Sequence, residues 1–161
     1  MTRRFWAILN TILFTIFVPG TVAVYVPRWL VGGFHKPENG VLTWVGAVIL
    51  VVGAAIYFRC AWEFAVRGLG TPAPIAPTQF LVTTALHRYV RNPMYIGVAL
   101  VILGEATVFR SFHLAEYAVV MLFVAHLFVM FYEEPTLRRQ FGESYDEYRR
   151  RVPRWIPKLR A

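Results

Sequence analysis

The sequence predicts an all-α integral membrane protein: four transmembrane helices and a cytoplasmic amphipathic C-terminal helix, in one domain over residues 1–161. Three observations predict it. Hydrophobic residues make up 57% of the chain and charged residues only 16%, with a mean hydropathy of +0.49; an ordinary soluble domain carries about 25% charged residues. The apolar residues gather into four runs. The basic residues gather on one side of those runs.

The first run is Phe5 to Val26, the second Val41 to Val66, the third Met94 to Phe109 and the fourth Leu114 to Tyr132. A spanning helix needs ~20 residues, with ~17–25 tolerated. Three runs meet this, and the third does so once its polar ends sit in the interface. Arg110-Ser111-Phe112-His113 leaves room only for a tight antiparallel hairpin. Thr21-Val22-Ala23 loosely resembles a signal cleavage site, but the first run is longer than the usual ~7–15-residue signal core, so it reads as a span. With the N-terminus inside, 13 of the 17 Lys and Arg residues fall in the cytoplasm. Arg28, Lys36 and Arg110 fall outside, and Arg59 lies within a span. The positive-inside rule then places both termini in the cytoplasm, in the inner or plasma membrane if the protein is bacterial. The net charge of +8 tracks the membrane boundary, which sets nucleic-acid binding aside. Cys60 is the only cysteine, excluding an internal disulfide and a multi-cysteine metal site.

The unusual polar sequence lies on the cytoplasmic side. The loop from Arg67 to Asn92 carries Gly68, Gly70, Pro72, Pro74 and Pro77, so it is not one helix. Its length exceeds that of a usual connector, as functional loops often do. Asn92-Pro93 then starts the third span, with Asn92 suited to the N-cap and Pro93 to the first helical position. Free backbone N–H groups at such an end attract carboxylates, and Gly97 permits a close approach one turn further on. In the second span Arg59, Glu63 and Arg67 share one helix face at i, i+4 spacing. This is either a ladder that fixes packing or part of a site. Glu105 and His126 are two more ionisable residues expected to be buried in spans, where such groups face the bundle or a wet cavity.

The fourth span ends in Glu133-Glu134-Pro135, where proline is expected to kink or stop the helix. Adjacent helical residues point ~100° apart, so the two carboxylates do not share one task. Leu137, Phe141, Tyr145, Tyr148 and Val152 then form an apolar stripe opposite Arg138, Arg139, Glu143, Asp146, Arg149 and Arg150. That pattern predicts a helix over residues 136–152 lying on the membrane surface. Trp155 follows, a residue suited to the interface.

Arg91-Asn92-Pro93-Met94-Tyr95-x-Gly97, then Glu133-Glu134, Leu137, Phe141-Gly142-x-x-Tyr145-x-x-Tyr148 and Val152-Pro153, resemble the isoprenylcysteine carboxyl methyltransferase family. The related phospholipid N-methyltransferases share the R-H-P-x-Y and E-E elements. The resemblance covers roughly Arg67 to Pro157. It implies a membrane enzyme that uses S-adenosylmethionine, without a metal, and holds it in a cytoplasmic pocket. Carried over position by position, it assigns cofactor contacts to Asn92, Pro93, Met94, Tyr95 and Glu133, to Gln79, Leu81 and Val82 upstream, and to His87. Tyr95 and Arg91 are the positioning candidates for catalysis, and Glu134, Arg88 and His126 the substrate-side candidates. The family's usual histidine is Asn92 here, and Val129 stands where the prenylcysteine branch has a substrate-binding arginine. The acceptor, a lipophilic molecule entering from the bilayer, is therefore left open among a lipid amine, a prenylated thiol or carboxylate, and a small hydrophobic compound. The rival reading is a non-catalytic tetraspan lipid-binding or scaffold protein.

Overall fold

Every described element is helical, and prolines and glycines decide where the helices bend and touch. The computed structural model describes residues 2–33, 36–68 and 80–158, with the side chains of 2–4 and 67 left aside. Helix α1 (Thr2–Phe17) runs on through a π-helical turn at Thr21–Tyr25 into α2 (Val26–Leu30). Pro27 lacks the N–H needed to continue the backbone ladder, and the wide turn before it absorbs the mismatch. The Val22 carbonyl left over accepts instead from the Tyr117 hydroxyl at 2.9 Å.

Helix α3 (Val41–Glu63) is prolonged by a π turn at Phe64–Gly68. A 3₁₀ turn (Ala85–Arg88) leads into α4 (Pro93–Val108), and α5 (Phe112–Phe128) follows across the short corner that sequence predicts. A third π turn, Val129–Glu133, joins α5 to α6 (Glu134–Phe141). Helix α7 (Glu143–Arg151) ends the regular structure.

Three stretches are long and apolar enough to cross a membrane: Phe5–Leu30, Val41–Val66 and Phe112–Phe141, of 26, 26 and 30 residues. Less than a quarter of the most apolar part of each is buried against the protein, so most of their side chains face outward. Helix α4 has only 16 residues and rises about 24 Å, less than the ~30 Å hydrocarbon core.

Two expectations change. Of the kink or stop expected at Pro135, the stop does not occur: the π turn just ahead of it lets the helix continue to Phe141. The helix expected over 136–152 is broken at Gly142, whose φ of +55° favours glycine. Its stripe is also turned inward: Tyr145 and Val152 are buried in the protein.

The tightest crossing is α3 on α4, and glycine permits it. A Cβ on Gly53 would sit 2.7 Å from the Gly97 carbonyl oxygen, and one on Gly104 would sit 2.6 Å from the Leu50 nitrogen. Gly46 and Gly97 are equally confined. Such small-residue contacts replace the hydrophobic drive that lipid removes. Tyr57, Ala61, Val98, Ile102 and Ala118 pack beside the crossing with Ala23. The Thr15 and Tyr57 hydroxyls, 2.8 Å apart, tie α1 to α3.

Candidate functional site

The first turn of α4, the end of α5 and the C-terminal segment 152–158 meet at one end of the bundle. Pro93 opens α4 because its missing N–H is not needed there. Asn92 occupies the cap position, yet its side chain does not cap: Nδ2 donates to the Arg154 carbonyl at 3.1 Å. Three further bonds fasten the C-terminal region to the loop ahead of α4. The Arg91 amide donates to the Pro153 carbonyl at 2.9 Å, the Lys158 amide to that of Tyr89 at 3.0 Å, and the Tyr148 hydroxyl to that of His87 at 2.7 Å. Burial pushes the Tyr148 phenol up, so it stays a donor.

The two adjacent glutamates part company, as their angular separation requires. Glu133 accepts from the Tyr95 hydroxyl at 3.0 Å. Glu134, 7% exposed, accepts from Arg91 Nη1 at 2.9 Å and from Arg154 Nε and Nη2 at 2.6 and 3.0 Å. Arg91 also reaches the Tyr145 hydroxyl at 3.3 Å. Glu134 is thus a cross-link joining the α4 entrance, α6 and the C-terminal segment. Glu133 is left facing Tyr95.

Trp155 connects this pair to a second feature. Its ring stands edge-on to Tyr95, centroids 6.3 Å apart, and its indole N–H donates to His126 Nδ1 at 2.9 Å. Beyond it lies an open groove of about 500 Å³, lined by Ile96, Leu122, Phe123, His126, Trp155 and Pro157. The Trp that composition suits to the interface thus touches both Tyr95 and the lining of this groove. Only the long-range contact reveals that role; Arg154 and Tyr145 join the site in the same way.

The other candidates divide. His87 is 4% exposed, edge-on to Phe64 with ring centroids 5.2 Å apart, and burial brings its pKa down to about 4. Its Nδ1 and the Nε of Arg91 are buried atoms without a hydrogen-bond partner among the described residues. Val82 is buried and Leu81 half-buried, while Gln79 lies outside the described residues. Met94 packs against the core. Arg88 is exposed and folds over its neighbour Tyr89, 4.6 Å above the ring. His126 is half-buried rather than enclosed. Glu105 is buried, but it lies ten residues, about 15 Å, further along α4 than Tyr95.

Glu63 is buried and paired with Arg59 at 2.6 Å, and it accepts from the Thr84 hydroxyl at 2.9 Å. It therefore ties α3 to the loop before α4; the Arg67 end of the expected ladder lies outside the described side chains. Gly97, read as a point of close approach, is approached by α3.

The family model described as phospholipid methyltransferase matches residues 41–144. The chain is 35% identical over 82 residues to a protein-S-isoprenylcysteine O-methyltransferase of Schizosaccharomyces pombe, covering 48% of this chain and 33% of that one. It is 36% identical over 75 residues to a methanethiol S-methyltransferase of Crocosphaera subtropica, covering 47% of this chain and 28% of that one. The match thus spans about a third of the length of these relatives. No solved structure gives a significant match. The family match takes in α3, α4, α5 and the glutamate pair, and the chain belongs to the phospholipid methyltransferase family.

Proposed function

We propose that this protein is an S-adenosylmethionine-dependent methyltransferase acting on a lipophilic acceptor drawn from the bilayer. The observation that carries the reading is the hydrogen-bonded Tyr95–Glu133 pair at the start of α4, adjoining an apolar groove through the shared neighbour Trp155. The cofactor is polar and the acceptor is not, and this arrangement supplies a place for each. The names of the two relatives, an isoprenylcysteine O-methyltransferase and a methanethiol S-methyltransferase, support methyl transfer as the chemistry.

The donor set fits the cofactor. Glu133 offers a carboxylate to hydroxyl or amino groups, and Tyr95 a hydroxyl. His87 Nδ1 and Arg91 Nε are unmet hydrogen-bonding atoms of the kind a polar ligand satisfies. Glu133 and Tyr95, with His87 and Arg91, would hold the cofactor, which would supply an electrophilic sulfonium methyl with a neutral thioether as its leaving group. The protein need not protonate the leaving group, so its residues act by alignment and exclusion of water, worth up to ~7–11 kcal/mol. Glu133 and Tyr95 orient one partner, and the groove walls confine the other. Glu134 with Arg91 and Arg154 holds the C-terminal segment over both.

The short α4 is read as a fourth span, with both termini cytoplasmic. Being shorter than the hydrocarbon core, it brings its first turn below the membrane surface, where cofactor and lipophile can meet. Two measurements test the proposal: calorimetric binding of S-adenosylhomocysteine, and transfer of labelled methyl from S-adenosylmethionine to a lipid extract. Absence of binding would leave the non-catalytic tetraspan reading.

A further inference from the structure

Resting on that reading, we infer that His126 selects the acceptor: its free imidazole N–H favours a thiol or carboxylate head on an apolar body and disfavours an amine. The inference begins with a tautomer. An indole nitrogen donates a hydrogen bond and does not accept one. Trp155 Nε1 lies 2.9 Å from His126 Nδ1, so Nδ1 is the unprotonated acceptor and the ring proton sits on Nε2. Among the described residues, Nε2 makes no hydrogen bond. The other residues lining the groove are the aliphatic Ile96, Leu122 and Pro157 and the aromatic Phe123 and Trp155. A single donor in an otherwise apolar recess fixes the orientation of whatever enters.

The number of lone pairs on the acceptor then decides the chemistry. A thiolate sulfur or carboxylate oxygen can take a hydrogen bond from Nε2–H on one lone pair and attack the methyl carbon with another. A neutral amine nitrogen has one lone pair, and donating to it would consume the nucleophile. An ammonium has none, and would set its N–H groups against the histidine donor. A carboxylate arrives without its proton, and a thiol gives its proton to water before it attacks; methylation then yields a neutral ester or thioether as the sulfonium becomes a thioether. Val129, buried on the same helical stretch, offers no polar group. His126 is the polar side chain left at the groove.

The test uses the full-length protein in detergent with S-adenosylhomocysteine present, and three probes sharing one chain: dodecanethiol, dodecanoate and dodecylamine. Wild type is expected to bind dodecanoate about tenfold or more tighter than dodecylamine, the range of one hydrogen bond to a charged group, with the neutral dodecanethiol between them because thiol sulfur is a weaker acceptor. His126→Phe keeps the ring volume and should bring all three to within about twofold of one another. His126→Gln, which restores an N–H donor, should recover part of the preference. In ¹⁵N-histidine spectra, the Nε2–H tautomer should be seen for His126 and be lost in Trp155→Phe. Equal wild-type affinity for the amine, or an unchanged preference in His126→Phe, overturns the inference. Binding of S-adenosylhomocysteine by these same samples is the separate check: its absence strikes the proposed function, whereas its presence with no acceptor preference strikes His126 alone.

Discussion

Exchanging each glutamate of the pair for glutamine should separate stability from cofactor binding. Glu134 accepts three hydrogen bonds from two guanidinium groups, at 2.6 to 3.0 Å, while 7% exposed. Glutamine at 134 keeps the shape, removes the charge and turns an amide N–H₂ toward guanidinium donors. Breaking a fully buried ion pair costs ~3–5 kcal/mol. The Arg154 side chain is 30% exposed and water relieves part of its loss, which brings the expected cost of Glu134→Gln to about 2–3 kcal/mol. At ~2–4 °C per kcal/mol for a chain of this size, the Tm should fall by about 5–10 °C. Glu133→Gln differs, because the Tyr95 hydroxyl can still donate to an amide oxygen. Its Tm should move by no more than ~2 °C, while affinity for S-adenosylhomocysteine falls about ten- to hundredfold through loss of a charge-assisted bond worth ~1.5–3 kcal/mol. Differential scanning fluorimetry in detergent and calorimetric titration, run on the same preparations, give both readouts. The reverse pattern, with Glu133→Gln unstable and Glu134→Gln stable but unable to bind, would refute the assignment of cross-link and ligand contact.

Three further outcomes are expected. Gly104→Ala places a methyl 2.6 Å from the Leu50 nitrogen and 2.8 Å from the Gly46 carbonyl oxygen, so α3 and α4 must separate; the yield of monodisperse protein in size-exclusion chromatography should collapse, and a normal yield would reject the crossing. His87, with its pKa lowered to about 4 by burial, binds fewer protons when folded than the ~6.5 of the unfolded side chain allows. Stability should therefore be intact above pH ~6.5 and fall progressively toward pH ~4, by about 3 kcal/mol if the full shift is expressed. His87→Phe should flatten that acid limb of the Tm–pH curve, since Tyr148 bonds the His87 backbone and not its ring. In a Cys60→Ala background, an impermeant maleimide should label His113→Cys in intact cells and Ser144→Cys only after permeabilisation; the opposite result inverts the topology.

How much of this was legible in the sequence depends on whether a feature is local. The four apolar runs, the proline start of α4 and the tight corner at residues 110–113 follow from neighbouring residues, and all appear in the structure. So does the divergence of Glu133 and Glu134, which needs only helical geometry. The partners were not legible. Asn92 has the composition of an N-cap, but its side chain makes no cap bond and instead donates from Nδ2 to the distant Arg154 carbonyl. Gly46, Gly53, Gly97 and Gly104 sit in apolar runs where nothing in the hydropathy distinguishes them, and their meaning lies on the facing helix. The stripe through Tyr145 and Val152 reads as a membrane-facing surface because periodicity tells that a face is apolar and not what covers it.

Pro135 shows why a local rule fails at the site itself. Proline removes one ladder donor, and the simplest consequence is termination. Here the π turn at Val129–Glu133 comes first, and its closing bond runs from the Glu134 amide to the Val129 carbonyl. The helix is already wound wide when it reaches the residue that cannot donate, so it passes through. The same device precedes Pro27, where the leftover Val22 carbonyl is taken by Tyr117. π turns are rare and recur at functional positions because they change the register of a helix without ending it. In this protein that change falls between the span carrying His126 and the two glutamates. It allows one continuous helix to present His126 to the groove, Glu133 to Tyr95 and Glu134 to the arginines. A straight helix stopped at Pro135 would have left Glu134 at a frayed end, with no rigid α6 to meet Arg91 and Arg154.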